Sequence, residues 1–180
     1  MLDKVKEFVN KAYGKNPIHF ERAVYWLQQI NPNADEPMLI AAYAHDVERA
    51  FSPVTIDYFK DRELDDQEYL MLHQEEGARI ISEFLYLQGY PEEEISRIEH
   101  MVRLHEAGGM PEAEWIKDAD SISYFEVNAP KHIEKFGKPL GKAKVRRKYD
   151  FMFERMTHPE ARKIAFPMYR KVMDLLEQSE

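Results

Sequence analysis

Apolar residues recur along most of the chain at three- and four-residue steps, and runs of alternating β-branched residues are absent. This periodicity predicts an all-α protein. The first helix spans Leu2–Tyr13, with Val5, Phe8, Val9 and Ala12 on one face, and a Gly/Pro-containing break follows at 14–17. A second helix covers Ile18–Ile30. After a turn at 32–37, Pro37 suits the first turn of a helix over 39–49, which is Ala-rich and apolar all round and therefore central. The stretch 51–66 is polar and irregular and reads as a long surface loop shaping a pocket mouth, a candidate lid. A long helix, Gln67–Leu87, closes at Gly89, and Pro91 starts another that runs to about 105. Gly108 and Gly109 precede a helix over 111–126, which 128–130 closes. Helices over 142–156 and 159–177 complete the chain, with no internal repeat or low-complexity tract. The expected architecture is one compact multi-helix domain over 1–180. Its motif-bearing core lies at about 18–126, and C-terminal helices over 140–177 pack on it.

Composition narrows the chemistry. With 180 residues, 44% of them hydrophobic, the chain can bury a core without disulfides or a structural zinc. Its longest apolar stretch, 38–44, is too short to cross a bilayer, so no membrane association is expected. The N-terminus MLDKVKEFVN mixes acids and bases instead of presenting a basic stub and an apolar run, so a cytoplasmic location is expected. There is no cysteine, which removes thiolate metal sites and cysteine nucleophiles and leaves His, Asp and Glu as strong ligands. A net charge of -8 argues against general nucleic-acid binding but leaves room for a small phosphorylated molecule in a locally basic pocket. A homo-oligomer is compatible with all of this.

Three segments carry polar residues in apolar settings. His45 and Asp46 stand in AAYAHDVERAF, His19 in IHFERAVYWL, and Asp120 in WIKDADSISYF beside Ile116, Ile122 and Phe125. A buried imidazole and carboxylate need partners, since desolvating an unpaired charge is costly. A divalent cation meets that need; the alternative is an Asp46–Arg49 pair one turn apart, with His45 bonded to a backbone carbonyl. Two imidazoles and two carboxylates from three helices are sufficient for an N/O metal cage.

These segments resemble the HD-domain superfamily of metal-dependent phosphohydrolases. The family's H, HD and D pattern matches His19, His45-Asp46 and Asp120 in order, over roughly 18–125. The resemblance implies an all-α fold and a divalent metal held by His19, His45, Asp46 and Asp120; Mn, Ni, Co, Mg, Fe and Zn are not distinguished. It implies hydrolysis of a small phosphate ester, such as a nucleotide, by a metal-activated water, with Asp46 taking the proton. Relatives carry further histidines that hold a second metal or contact phosphate, and here His73 and His105 stand in those places. His100 is five residues from His105, about 140° around a helix, so the two should not face one ion.

Arg49 stands where many relatives have lysine and keeps the charge for phosphate. Glu48 is read either as orienting a water or a histidine or as a solvated acid. Asp118 is left as an outer or surface acid in favour of Asp120. Arg22, Arg103 and Lys117, each within a turn of a motif residue, are candidate phosphate clamps. The basic run 142–148 reads as a solvated face, and His132 and His158 as surface residues. Two rivals follow from the same scaffold: an HD-type di-iron oxygenase, and a non-catalytic nucleotide- or metal-binding module.

Overall fold

The computed structural model describes residues 1–14 and 17–179, so Lys15 and Asn16 of the expected break at 14–17 lie outside the described residues. Among the described residues ten α-helices follow one another and no strand occurs. Helix α1 (Leu2–Tyr13) buries Val5 and Val9 and ends at Gly14 in the left-handed conformation, φ 65°. Each of these valines contributes about 1.5–3 kcal/mol by leaving water. Helix α2 (Ile18–Ile30) packs on α6 (Pro111–Ser123), and α4 (Gln67–Leu87) on α5 (Glu92–Arg103). Between them runs α3 (Glu36–Ala44), in contact with α1, α2, α5 and α6. Asp35 caps it by accepting from the Met38 N–H at 3.2 Å, and Ile40 to Ala44 are all buried.

The central helix is shorter than its apolar pattern predicts. It stops at Ala44, so His45 and Asp46 lie beyond it, ahead of a 3-10 turn at Val47–Ala50. The cause is local: His45 Nδ1 lies 2.8 Å from the Ala42 carbonyl, the acceptor that the Asp46 N–H would use in a continued helix. The end of α5 repeats the device. That helix stops at Arg103, and His105 Nδ1 sits 2.7 Å from the Val102 carbonyl. Both imidazoles thus replace backbone donors at a helix C-terminus.

The expected stop at 128–130 does not occur. Helix α6 continues through a π turn (Tyr124–Asn128), α7 (Ala129–His132), a second π turn (Ile133–Gly137) and α8 (Lys138–Leu140), ending at Gly141, φ 90°. Each π turn immediately precedes a short helix with proline in its first turn, Pro130 and Pro139. A proline lacks an N–H and crowds the carbonyl four residues back, and a locally wider helix absorbs both defects. Helices α9 (Lys142–Glu154) and α10 (Pro159–Gln178) then pack on each other, and α10 on α6. Among the described residues no helix is long and apolar enough to cross a membrane.

The 51–66 segment contains a 3-10 turn, Ile56–Phe59, and is tied down from α9. Lys144 donates to the carbonyls of Phe59, Lys60 and Arg62 at 2.7–2.9 Å, and Arg147 reaches Asp65 at 3.0 Å. It forms part of the pocket wall through Pro53, Val54, Phe59 and Leu64.

Candidate metal centre

Five elements deliver titratable side chains to one place at the end of α3. His19 comes from the first turn of α2, His45 and Asp46 from the turn after α3, His73 from α4, His105 from the turn after α5, and Asp120 from α6. Gly77, one turn after His73, lets α4 approach closely, because a Cβ there would stand 3.3 Å from the His45 carbonyl oxygen.

The side chains fall into two adjacent groups. In the first, His19 Nε2 and His45 Nε2 lie 3.0 and 3.3 Å from Asp120 Oδ1. In the second, His73 Nε2 and His105 Nε2 lie 2.8 and 3.8 Å from Asp46 Oδ1. Asp46 Oδ2 is 4.0 Å from His45 Nε2, so this carboxylate stands between the groups. The set expected around one ion is therefore divided, with Asp46 grouped with His73 and His105.

All four imidazoles are anchored through Nδ1. His45 and His105 face the carbonyls already described. His73 faces Glu48 Oε2 at 2.8 Å. His19 faces Ser123 Oγ at 2.7 Å, and that hydroxyl donates to the His19 carbonyl, so it can only accept from the ring. Each Nδ1 therefore carries a proton, and each Nε2 is the atom turned inward. The Nε2 atoms of His45, His73 and His105 are buried and complete no hydrogen bond. An imidazole oriented by an outer partner, with its other nitrogen free and carboxylates alongside, is the arrangement of metal-ligating histidines.

The electrostatic environment favours positive charge beside Asp120 and disfavours it at His105. Burial opposes protonation of His45, but Asp120 and Asp46 outweigh it and raise its pKa to about 9. Burial pushes the His105 pKa down to about 4, against the pull of Glu106. Asp120 is held well below the usual carboxylate range: burial would raise it, but His45, His19 and Arg155 prevail. Protons thus do in part what a cation would do, and a bound metal would release them.

Residues 3–175 match a protein family described as "Domain of unknown function (DUF4202)". The chain belongs to the DUF4202 family. No curated protein and no solved structure matches it.

In this DUF4202 chain a cleft of about 330 Å³ opens onto the two groups, its wall including His19, Asp46, Arg49, Glu106, Asp120 and Lys148. Arg49 Nε is 2.9 Å from Asp46 Oδ2, and its Nη1 donates to the Tyr69 hydroxyl at 2.5 Å. The Asp46–Arg49 pair weighed at the sequence level is thus present, as is the His45 carbonyl contact, and both coexist with the clusters. Glu48 is buried and holds His73.

Several sequence expectations are corrected here. Arg22 does not reach the cleft; it donates to Glu126 Oε2 at 2.7 Å and stacks over Tyr25. Lys117 is buried against Glu114 and Thr157, and Arg103 pairs with Glu75 and Glu99 at the surface. Asp118 is neither a ligand nor a surface acid: it is fully buried and accepts from the Thr157 and His158 N–H groups at the start of α10. His158 is not a free surface residue either, since it stacks on Trp115 and contacts Asp118. His132 borders the cleft and meets the Tyr124 hydroxyl at 3.0 Å. His100 is exposed, turned away from His105.

Sequence reasoning missed Glu106, Arg155 and Lys148. Buried Glu106 follows His105 directly, so a His-Glu pair at a helix end was the available signal. Arg155, after α9, bridges Glu106 and Asp120 and donates from Nε to Ser121 Oγ at 2.9 Å. Lys148 belongs to the run read as a solvated face yet is buried. Nothing local marked either cation.

The outer anchors have a measurable role. If the His73 group holds a metal, Glu48→Gln will weaken that binding by about 10–100-fold, the usual effect of losing such a partner, with little change in fold. Titration of the purified variant with Mn²⁺ checks this, and an unchanged affinity would show that Glu48 does not hold His73 for a metal.

Proposed function

We propose that this chain is a metal-dependent phosphohydrolase of the HD-domain kind, holding two divalent ions and acting on a small phosphate ester such as a nucleotide. One observation carries the reading: four imidazoles, each fixed through Nδ1, turn Nε2 onto two carboxylates, buried Asp120 and the partly buried Asp46 at the cleft wall. His19, His45 and Asp120 would hold one ion, His73, His105 and Asp46 the other, with Asp46 set between them. Divalent ions there would supply Lewis acidity toward a phosphoryl oxygen and a water of lowered pKa.

The chain's own groups complete the chemistry. Arg49 projects into the cleft and neutralises non-bridging oxygens, steadied by Asp46 and Tyr69. Asp46 engages both of its oxygens, which argues against the proton-accepting role expected for it. Glu106 is better placed. Its Oε2 pairs with Arg155, and its Oε1, 3.9 Å from His105 Nε2, is left to take a proton from the attacking water. A cleft of about 330 Å³ suits a small ligand rather than a polymer.

The same paired groups favour the di-iron oxygenase as second reading. Metal analysis and anaerobic assay separate the two. Phosphate release from a panel of phosphomonoesters, phosphodiesters and nucleotides, with Mn, Ni, Co or Mg and without oxygen, supports the hydrolase. Two irons per chain with an oxygen-dependent spectral change and no phosphate release from any loaded form would sink it.

A further inference from the structure

Among the described residues, Lys148 is the buried cation of the cleft wall that no hydrogen bond or ion pair commits. Arg49 is paired with Asp46, and Arg155 behind the wall with Glu106 and Asp120. Lys135, at the rim, is exposed and lies over the Phe136 ring. The Lys148 side chain is about nine-tenths buried, on the inward face of α9, and borders the cleft. Among the described residues its ammonium forms no hydrogen bond or ion pair; its close contact is the Phe151 ring, 4.9 Å from Nζ to the centroid.

An ammonium carries three donors and gives up strong hydration on burial, and an aromatic face replaces little of that. Its neighbours on the same helix are treated differently: Lys144 and Arg147 are satisfied by the 51–66 segment, and Lys142 and Arg146 by the end of α10. Burial and the nearby charges of Arg155 and Arg49 depress the Lys148 pKa, with Glu106 opposing them. An anion entering the cleft would reverse that imbalance. Asn128 and His132 border the same cleft, and Arg49, Lys135 and Lys148 all place positive charge near His132.

We infer that Lys148 anchors a second anionic group of the ligand, so that the cleft selects small molecules bearing two acidic groups: one at the His/Asp clusters, the other on Lys148. Phosphate and carboxylate share the chemistry required at Lys148. A nucleoside diphosphate or a phosphorylated sugar acid fits this class, whereas a simple monoester leaves the ammonium unmatched. The inference rests on the hydrolase reading for the group that reacts, but the anchor itself is measured without turnover.

The test is calorimetric titration of the full chain, metal-loaded and chelated, with pyrophosphate and with inorganic phosphate. The wild type is expected to bind pyrophosphate at least tenfold more tightly than phosphate. Lys148→Met should lose about tenfold in pyrophosphate affinity and change little toward phosphate, while Lys148→Arg retains most of the preference. Methionine fills the space of the stem without the charge, so the variant should keep the wild-type circular dichroism and an equal or higher melting temperature. Unchanged pyrophosphate affinity in Lys148→Met, or no pyrophosphate binding by the wild type in either state, overturns the anchor. Failure of the chain to retain metal overturns the metal reading instead, and the chelated titrations still report on Lys148.

Discussion

If the His19–His45 group holds a divalent ion, as proposed, Asp120→Asn will lower its affinity by more than about 100-fold, because losing an outer partner costs ~10–100-fold and this change would remove a ligand. The carboxylate is the common neighbour of both Nε2 atoms, at 3.0 and 3.3 Å, and among the described residues no other carboxylate lies within 4.0 Å of a His19 ring nitrogen. An amide oxygen keeps the shape and can still accept from Arg155, but it brings no charge to a cation. Phosphate release should fall with metal occupancy, to the background of the chelated protein. Metal analysis of the purified variant and a Mn²⁺ titration of activity check the two halves separately. Wild-type metal content in Asp120→Asn would refute the ligand assignment; lost metal with retained turnover would refute the hydrolytic role of this ion.

Arg155→Met has its largest effect on stability. The guanidinium is almost wholly buried between Glu106 and Asp120, and the three side chains form one ion network beneath the cleft. Taking the cation away leaves two buried carboxylates facing each other, and breaking a buried pair in this way costs about 3–5 kcal/mol. For a domain of this size that corresponds to a melting-temperature loss of roughly 6–20 °C. The loss should be largest in chelator and partly recovered with Mn²⁺, since an ion bound only by the folded state takes up part of the carboxylate charge and stabilises by mass action. Denaturant titrations with and without chelator read both effects. Equal stability of wild type and variant in chelator would show that Arg155 does not neutralise these carboxylates.

The two variants also separate what the sequence made visible from what it hid. Asp120 could be named because a carboxylate among Ile116, Ile122 and Phe125 violates the apolar period of its helix, and because KDADSIS, AHDVERA and HFERA resemble one family's motifs in order. Arg155 could not. It follows α9 in an ordinary charged stretch, FERM, and becomes special only because the turn between α9 and α10 lies against α6, where Arg155 meets Asp120 and Ser121. Lys148 shows the same blindness. Its helix neighbours Arg147 and Lys144 are near-identical in type, and the direction of each side chain around α9 alone decides that one meets Asp65, one meets three carbonyls and one is buried in the cleft wall. Arg22 and Lys117 show the converse: each is close in sequence to a motif residue, yet the end of its side chain lies elsewhere. Residues three apart share a helix face, only about 60° from each other, but a long side chain goes to whatever partner packing brings near its tip: Glu126 for Arg22, Glu114 and Thr157 for Lys117.

Helix boundaries divide similarly. Leu2–Tyr13, Ile18–Ile30 and Gln67–Leu87 were fixed by local signals, a period of 3.6 and terminal breakers, which act within a few residues. The end of α3 was set by a side chain taking a backbone acceptor, and the passage through Pro130 by a π turn that relieves it. Neither is written in hydrophobic period. By itself, then, the sequence determined the all-helical class, the N/O character of any metal site and the identity of the His and Asp residues able to form it, because burial patterns and ligand chemistry are properties of residue types. Tertiary structure alone decided that these residues form two groups, that Asp46 stands between them, and that Glu106, Arg155 and Lys148 belong to the same place. Those facts depend on how far apart helices from opposite ends of the chain come to rest, and packing sets that distance.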